Sequence, residues 1–434
     1  MPRAAPAHLA DAAQEDLDRL ENLGFRLMRI AVIGGGWAGI AAAVELTSTG
    51  QSVTLFEAGR QLGGRARGVD LDGRRLDNGQ HILLGAYRET LALMRRVGAD
   101  PDQLLHRLPL QVRDNSGFQM RLPKLPPPFN LAWGLLAAHG VGWREKIATA
   151  RWMNQLKANG FRLDNDRTVA EWLDAAGQTG ALRRHLWAPL CLAALNTPLE
   201  RASAQLFANT LRDSLGSSQR EDTDLLLARV DLGRILPEPA AAWLREHGAE
   251  LRTSHRVRQI ERHPESISVD GEAFDAVIFA TAPQHAAPLT GLDFEFAYEP
   301  IGTVYLAYPP HVSLPFPLYG QQGGIGQWVI DRGEGVLACI LSGHGNWEAL
   351  TDDELASTLT RELAIPAAPL WHSVVREKRA TFSSRPNLPR PGMKTPHPRL
   401  WLAGDYTYQD YPATLEGAVR SGLEAGKACL KDLS

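Results

Sequence analysis

A cluster of glycines between an apolar run and an alanine-rich stretch constrains this chain most strongly. Residues 28–67 read MRIAVIGGGWAGIAAAVELTSTGQSVTLFEAGRQLGGRAR. Ile30–Ile33 predicts a buried parallel strand, Trp37–Thr47 predicts a helix that ends at Gly50, and Ser52–Phe56 predicts a second strand. Strand, glycine turn, helix and strand in this order form a βαβ unit with a right-handed crossover. The sequence therefore predicts an α/β fold with a Rossmann-like sheet.

The glycine spacing is that of a dinucleotide-binding turn. Gly34, Gly36 and Gly39 form G-x-G-x-x-G, in which the glycines permit a sharp turn, a close approach to pyrophosphate and tight helix–strand packing. The N-terminus of the following helix offers free N–H groups to phosphate. Glu57 ends the next strand, where an acid accepts hydrogen bonds from ribose hydroxyls. The candidate dinucleotide-binding residues of this unit are Gly34, Gly36, Trp37, Ala38, Gly39, Glu57 and Ala58.

A second glycine pair follows the acid. Gly63, Gly64 and Arg65 complete the spacing E-A-x-x-x-x-G-G-R. The glycines allow a second close backbone approach, and an arginine fork can bind phosphate through two hydrogen bonds. This motif resembles the extended motif of the amine oxidase and phytoene desaturase flavoprotein superfamily. The resemblance implies that the dinucleotide is FAD.

Segments far from the N-terminus carry the same resemblance. LWLAGD resembles the family's second FAD strand, in which Gly404 and Asp405 meet the pyrophosphate and ribityl chain. ATLEGAVRSG resembles the helix whose N-terminus faces the flavin pyrimidine, and Val257 matches the position that reaches the adenine. No cysteine falls where family members attach flavin covalently, so we expect non-covalent FAD. The candidates on the flavin-facing helix are Thr414, Leu415 and Ala418.

A narrower resemblance extends from Met28 to the C-terminus. The motifs that carry it resemble the hydroxysqualene dehydroxylase family, squalene-associated FAD enzymes found with bacterial hopanoid genes. The resemblance implies reductive removal of the allylic hydroxyl of hydroxysqualene, a long apolar isoprenoid, to give squalene and water. The motifs are LDNGQHILLGAY, WAPLCLAALNTPLERASAQLF, LRDSLG, EKRATF and AGDYTYQDYPATLEGAVRSG.

Such a reaction needs a reduced flavin, a proton donor and a dry apolar site. His81 follows Gly79 and Gln80, at positions where family members place residues beside the flavin ring. His81 is therefore a candidate proton donor. The alternative is that His81 makes a structural hydrogen bond that holds the loop beside the flavin. Arg212 and Asp213 form a second candidate, although the arginine favours the charged carboxylate; the alternative is a helix ion pair. Two further candidates, each with a packing or surface alternative, are a tyrosine of the flavin segment (Tyr406, Tyr408 or Tyr411) and Lys378.

The chain is too long for one hydrophobic core, since it has 434 residues. We interpret residues 1–27 as an N-terminal extension, with Met1 and Met28 both candidate initiators. Helical patterns dominate from about Tyr87 to His247. We expect an interleaved layout: residues 28–86, 248–290 and 390–434 form the FAD-binding domain, and residues 87–247 and 291–389 form an inserted mixed α+β substrate domain.

Composition excludes several classes of function. Net charge is −3 without blocks of like charge, which argues against a nucleic-acid surface. The three cysteines form neither CxxC nor a disulfide framework, so we predict no metal site and a cytoplasmic location. Leu125–Trp143 is apolar but interrupted by prolines, so it does not predict a spanning helix. It is either a partly buried helix or a peripheral contact with the inner face of the plasma membrane, testable at Leu131, Trp133 and Leu135.

Three alternatives remain open from the sequence. A carotenoid-type desaturase or isomerase would use the same cofactor with hydride flowing in the opposite direction. An amine oxidase is less consistent, because Thr414 stands where those enzymes carry an aromatic ring. A non-catalytic FAD-stabilised scaffold would bind flavin that never cycles. The sequence does not identify the electron donor, which is either NADPH that binds transiently or a separate reductase. Gly320–Gly326 lacks the strand and helix of a second dinucleotide site, so it predicts only a turn.

Overall fold

Strands form where the apolar runs lie. The computed structural model describes residues 27–433, so the predicted N-terminal extension lies outside the described residues except for Leu27. The strands are β1 (Arg29–Ile33), β2 (Ser52–Phe56), β3 (Gly68–Leu71), β4 (Arg74–Asp77), β5 (Ile82–Leu84), β6 (Leu105–Leu108), β7 (Gln111–Arg113), β8 (Gln119–Arg121), β9 (Leu225–Ala228), β10 (Glu250–Arg252), β11 (Ile260–Arg262), β12 (Ile267–Val269), β13 (Glu272–Phe274), β14 (Ala276–Phe279), β15 (Tyr298–Ala307), β16 (Leu318–Gly320), β17 (Trp328–Asp331), β18 (Val336–Ser342), β19 (Trp371–Phe382) and β20 (Leu400–Leu402).

Helices connect and cover these strands. They are α1 (Trp37–Ser48), α2 (Arg88–Arg96), α3 (Pro101–Leu104), α4 (Phe129–Leu136), α5 (Trp143–Ala158), α6 (Val169–Ala175), α7 (Ala188–Leu195), α8 (Ala204–Asp213), α9 (Leu232–Ile235), α10 (Pro237–Glu246), α11 (Pro283–Thr290), α12 (Asp352–Leu363) and α13 (Leu415–Leu433). A π-helical turn, Arg183–Trp187, leads into α7. Between residues 27 and 433, no helix combines the length and the apolar composition needed to cross a bilayer.

A five-stranded parallel sheet has the order β10-β2-β1-β14-β20. Its register pairs Ile33 with both Phe56 and Phe279, and Phe279 with Leu402, so the carboxyl ends of four strands lie level. The predicted βαβ unit and the Rossmann-like α/β fold class are confirmed. The strands come from the three segments predicted to form the FAD-binding domain. Helices α2 and α10 lie outside those segments yet pack into the same core, and the domain boundaries stay a prediction.

An antiparallel sheet with the order β16-β17-β18-β15-β19 forms the centre of the other half. Side chains of β15 alternate between its two faces. Tyr305 faces the apolar cluster that includes α5, α6 and α8. Val304 and Leu306 face a second cluster closed by α12. This sheet and its helices give the mixed α+β character expected for the inserted part.

The range predicted to be mainly helical also contains strands. Strands β6, β7, β8 and β9 have only three or four residues each. Runs this short do not show a period-two alternation, so periodicity could not separate them from the surrounding helices.

Helices α1 and α13 cross unusually closely at Gly422. A Cβ on Gly422 would lie 2.1 Å from Ala38 O, whereas a Cβ on Gly426, one turn later, would lie 3.3 Å from the Glu45 side chain. We expect Gly422→Ala to lower the free energy of unfolding by about 2 kcal/mol, because the helices must separate. Gly426→Ala should cost less than about 1 kcal/mol, since the neighbouring side chain can move. Urea unfolding measures both, and equal losses would contradict the close crossing.

Candidate flavin site

Segments from distant parts of the chain lie together at the carboxyl edge of the parallel sheet. Gly34 follows β1, Glu57 follows β2, Thr281 lies just beyond β14 and Gly404 just beyond β20. The loop after β10 adds Val257. Ligands of open parallel sheets bind outside this edge. The structure therefore gathers the segments predicted to bind flavin in one place.

Close backbone packing shapes the turn after β1. Gly34 has a φ of +110°, and a Cβ on it would lie 2.7 Å from Ala280 O. A Cβ on Gly39 would lie 1.8 Å from Gly34 O. Gly36, the N-cap of α1, differs because no atom lies within 4 Å of the position its Cβ would take. This open space at a helix N-terminus suits a phosphate group.

Glu57 is fixed at the end of β2. Its Oε2 accepts a hydrogen bond from Gly35 N (2.7 Å), and its carbonyl accepts one from His255 N (2.9 Å). The second bond ties the loop that contains Val257 to β2, and Val257 is buried in the cluster at the ends of β1 and β2. Ala58 is exposed beside Glu57. The predicted adenosine-binding residues are thus neighbours.

The second glycine pair packs onto the first glycine turn. Gly63 N donates to Gly35 O (2.8 Å). Trp37 Nε1 donates to Ala66 O (2.9 Å) and so holds the far side of the loop. A Cβ on Gly64 would lie 3.1 Å from the backbone of the first turn. The two glycine segments thus form one continuous surface.

Arg65 joins the N-terminal and C-terminal parts of the site. Its Nη2 lies 2.7 Å from Asp405 Oδ2, and its Nη1 donates to Ala380 O (2.6 Å). Asp405 therefore already balances part of the positive charge of Arg65, and the sequence did not predict this ion pair. Lys378, two residues before Ala380, is exposed.

The N-terminus of α13 closes the site. Thr414 Oγ1 accepts from Gly417 N (3.1 Å) and caps the helix. Gly404 N donates to Ser421 Oγ (2.8 Å), which fastens the turn after β20 to the helix. The predicted flavin-contacting residues of this helix are half-buried: Thr414, Leu415 and Ala418.

Three buried polar atoms on segments of the site lack a hydrogen-bond partner among the described residues: Gln80 Oε1, Thr281 Oγ1 and the Tyr406 hydroxyl. Buried polar groups nearly always have partners, so these atoms fit a polar ligand. With the open space before Gly36, they show that the residues present suit a flavin dinucleotide. The sequence interpretation missed Thr281, although its position just after a buried strand was the available signal.

His81 lies on the loop between β4 and β5. Its Nδ1 is 2.9 Å from Gly79 O, so the Nδ1 proton is assigned to this contact and Nε2 carries the lone pair. Burial lowers the pKa of His81, and the positive charge of Arg65 lowers it further. Because its pKa is lowered, His81 is neutral at pH 7 and lacks the acidic proton of an imidazolium. The geometry favours the alternative role, in which His81 holds the loop.

Three further catalytic candidates, Arg212, Asp213 and Tyr411, meet at the end of α8. Arg212 Nε lies 2.6 Å from Asp213 Oδ1, the Tyr411 hydroxyl donates to Asp213 Oδ2, and the Arg420 guanidinium lies 5.2 Å from the centre of the Tyr411 ring. Burial raises the pKa of Asp213, but hydrogen bonds from Arg212 and Tyr411 outweigh it and hold that pKa below its usual value. Among the described residues, no hydrogen bond joins His81 to this group.

Asp77 is a buried carboxylate that the sequence interpretation did not single out. Its Oδ1 accepts from Leu232 N (2.6 Å), and its Oδ2 lies 3.4 Å from Arg332 Nη2. Tyr305 donates to the Asp77 carbonyl (3.0 Å). These contacts anchor the loop of Gly79 and His81 to the antiparallel sheet.

The stability of this anchor should depend on pH. Burial raises the pKa of Asp77 to about 6, against the opposing charge of Arg332 and the Leu232 N–H. Because this pKa exceeds the unfolded value, ionisation of Asp77 destabilises the folded state as pH rises from about 4 to 6. Relative to Asp77→Asn, the wild-type protein should lose about 2 kcal/mol of unfolding free energy between about pH 4.5 and pH 7. Urea unfolding at both pH values tests this, and an equal pH dependence in the two proteins would contradict it.

The match to a known family is nearly full-length. Residues 37–430 match the family described as flavin containing amine oxidoreductase. The chain belongs to the flavin containing amine oxidoreductase family. It is a flavin-dependent oxidoreductase, and the segments predicted to bind its flavin meet at the edge of the parallel sheet described above.

Curated relatives narrow the comparison for this flavoenzyme. It is 30% identical over 427 residues to hydroxysqualene dehydroxylase of Rhodopseudomonas palustris, with 92% of this chain and 98% of the relative covered. It is 29% identical over 426 residues to the hydroxysqualene dehydroxylase of Sinorhizobium fredii, covering 93% and 98%. It is 24% identical over 481 residues to a probable zeta-carotene desaturase of Synechococcus elongatus, covering 93% and 99%. The resemblance to hydroxysqualene dehydroxylases is confirmed.

Solved structures agree on the fold of the flavoenzyme. An oxidoreductase from Methanosarcina mazei superposes with a TM-score of 0.70 at 14% identity, covering 92% of this chain and 100% of that one. A putrescine oxidase variant superposes with a TM-score of 0.66 at 17% identity, covering 92% and 98%.

Proposed function

We propose that this flavoenzyme binds FAD non-covalently and reductively removes the allylic hydroxyl of hydroxysqualene, giving squalene and water. The observation that carries the proposal is the similarity to hydroxysqualene dehydroxylases over nearly the full length of both chains. We call residues 78–81, between β4 and β5, the flavin loop. The apolar surroundings of the flavin loop support a long apolar substrate.

The cofactor would be held by the segments at the carboxyl edge of the sheet. Adenosine would lie towards Glu57 and Val257, pyrophosphate before Gly36, and the flavin ring towards the N-terminus of α13. The residues assigned to FAD are Gly34, Gly36, Trp37, Ala38, Gly39, Glu57, Ala58, Gly63, Gly64, Arg65, Gly79, Gln80, His81, Val257, Gly404, Asp405, Thr414, Leu415 and Ala418.

The flavin loop lies against an apolar surface. Gln80 N donates to Thr303 Oγ1 (3.3 Å), which places the loop on β15. Ile82, Ile301 and Val375 are half-buried and pack on the large apolar cluster of this half of the molecule. Such side chains suit a long hydrocarbon, and they exclude the water that would recapture a developing allylic cation.

The reaction needs one hydride, one proton and cleavage of the C–O bond. Reduced FAD, when bound, supplies the hydride and is itself oxidised. Burial raises the pKa of Tyr411, and the bond to Asp213 raises it further; the hydroxyl therefore remains protonated at neutral pH. A leaving hydroxide is more basic than a phenolate, so Tyr411 can donate the proton that makes water when its hydroxyl turns from Asp213 to the leaving oxygen. Asp213, kept ionised by Arg212, would act as a positioning residue for Tyr411.

A desaturase or isomerase acting on a carotenoid-type polyene is the second candidate. The similarity to a zeta-carotene desaturase over 93% of this chain favours it. It would use the same FAD segments with hydride flowing to the flavin. In the dehydroxylase proposal, electrons must instead enter from a donor outside this chain, either NADPH or a reductase.

Product analysis separates these candidates. Purified protein carrying chemically reduced FAD is mixed with hydroxysqualene without oxygen. The proposal expects squalene and oxidised flavin in equal amounts, and none from Gly36→Asp protein, which is expected to lack flavin. Desaturated products from squalene or phytoene under oxidising conditions, with no squalene in the first assay, would overturn it.

A further inference from the structure

An exposed apolar surface surrounds α4 and the start of α5. Phe129, Trp133 and Trp143 are 64%, 55% and 64% exposed, and Leu136 and Ile147 are about half exposed. The prediction that Leu135 belongs to such a surface is wrong, because Leu135 is buried, whereas Leu131 is half-buried. We call the exposed surface the apolar face; it comprises Leu125, Phe129, Trp133, Leu136, Trp143 and Ile147.

The apolar face is held rigidly. A Cβ on Gly134 would lie 3.1 Å from Arg121 O, so the inner side of α4 rests directly on the β8 backbone. Lys146 Nζ donates to Leu136 O (2.6 Å) and Ala138 O (2.8 Å), and so caps the C-terminus of α4 from α5. Both sides of α4 are apolar, yet only one is buried by this chain.

A groove crosses the apolar face. It has a volume of about 490 Å³, and its lining is apolar. Monomeric proteins rarely expose continuous apolar surfaces of this kind unless the surface binds something. The residues that line the groove are Leu125, Pro126, Phe129, Ala132, Trp133 and Leu136.

The segment that forms the apolar face carries an excess of positive charge, although the whole chain has a net charge of −3. Between residues 121 and 160, Glu145 is the only acid in the sequence, and its Oε1 is occupied by Leu182 N (2.6 Å). On α5, the exposed side chains of Arg144 and Arg151 flank Ile147 at helical spacing. The exposed cations of this range are Arg121, Lys124, Arg144, Arg151 and Lys157.

We propose that the apolar face docks onto an anionic lipid bilayer. Trp, Phe and Leu side chains enter the headgroup boundary of membranes, and flanking cations attract anionic lipids. The apolar cluster beneath α4 includes Leu135 and continues to Leu76 and Ile82 beside the flavin loop. This inference rests on the proposed function in one respect: a long isoprenoid dissolves in the bilayer and would reach the flavin from this side.

Vesicle sedimentation of the full-length protein tests the docking. Wild-type protein should bind vesicles of phosphatidylcholine with phosphatidylglycerol more tightly than vesicles of phosphatidylcholine alone, and salt should weaken the binding. Phe129→Ser with Trp133→Ser should weaken it at least tenfold. Leu370→Ser, at a 73% exposed leucine outside the apolar face, is the matched control and should bind normally.

Charge is tested separately. Lys124→Gln, Arg144→Gln and Arg151→Gln together should lower the affinity for anionic vesicles about 100-fold, because each of the three cations contributes about fivefold near an anionic membrane. The same number of exposed cations removed elsewhere, with Arg95→Gln, Arg245→Gln and Lys427→Gln, should leave binding unchanged. Equal loss in both sets would overturn the proposal.

Other results also overturn it. The proposal is wrong if the wild-type protein does not bind anionic vesicles. It is also wrong if the wild-type protein is a dimer and the Phe129→Ser, Trp133→Ser variant is a monomer, since the apolar face would then join two copies of this chain. Squalene formation from detergent-dispersed hydroxysqualene is measured in parallel. If that reaction persists while vesicle binding fails, the docking proposal alone is wrong.

Discussion

Gly36→Asp is expected to abolish flavin binding while leaving the fold intact. The open space before Gly36 is where the FAD pyrophosphate would lie, and an aspartate there would place two negative groups together. Gly36 has a φ of −72°, and aspartate is a favoured N-cap, so the free energy of unfolding of the flavin-free protein should not fall. Flavin absorbance and calorimetric FAD titration should show a Kd raised at least about 100-fold, roughly 3 kcal/mol.

Gly36→Ser is the matched control for this substitution. Serine is a similarly good N-cap and adds volume without charge. We expect it to weaken FAD binding by less than about tenfold, or 1.4 kcal/mol. A yellow Gly36→Asp protein with wild-type affinity would show that the pyrophosphate does not lie before this turn.

Tyr411→Phe is expected to lower kcat for squalene formation about 100-fold, the usual scale for loss of a general acid. Its flavin absorbance should change little, because the ring and its contact with Arg420 remain. Its free energy of unfolding should fall by about 2 kcal/mol, because the hydrogen bond to the ionised Asp213 is lost. Because the pKa of Asp213 is held below its usual value, Asp213 should remain ionised, and kcat should not fall through this group as pH is lowered from 8 to about 5. Single-turnover oxidation of the reduced flavin measures the rate.

Tyr408→Phe provides a matched control for the tyrosine substitution. The Tyr408 ring lies 5.7 Å from that of Tyr411, and its hydroxyl is 3.5 Å from Arg420 Nη1 rather than at Asp213. Its kcat should stay within about threefold of wild type. A normal kcat in Tyr411→Phe combined with a 100-fold loss of kcat in His81→Gln would show that His81, not Tyr411, is the proton donor.

Sequence patterns predicted the nucleotide-binding half well because its signals are local. The strand Ser52–Phe56 has the predicted bounds, and helix α1 begins at the predicted Trp37. A β-branched run, a fixed glycine spacing and an alanine-rich helix each act over a few residues. The assignment of individual FAD contacts stays a prediction.

The features that the sequence did not reveal depend on contacts between distant residues. The pair of Asp77 and Arg332 joins segments far apart in the chain, and neither residue lies in a pattern that marks its partner. The same holds for Arg65 and the Ala380 carbonyl. Leu135 was misplaced because α4 is apolar on both sides, so periodicity could not show which side the chain covers.

The order of strands in the parallel sheet also bears on synthesis. β1 and β2 leave the ribosome early, but the strand beside β1 on its other side, β14, follows more than two hundred residues later, and β20 and α13 come last. During most of translation, the nascent polypeptide therefore contains only some of the segments that form the candidate flavin site. Cofactor capture should be a late event, completed only when the C-terminal helix is free to fold back against the first one.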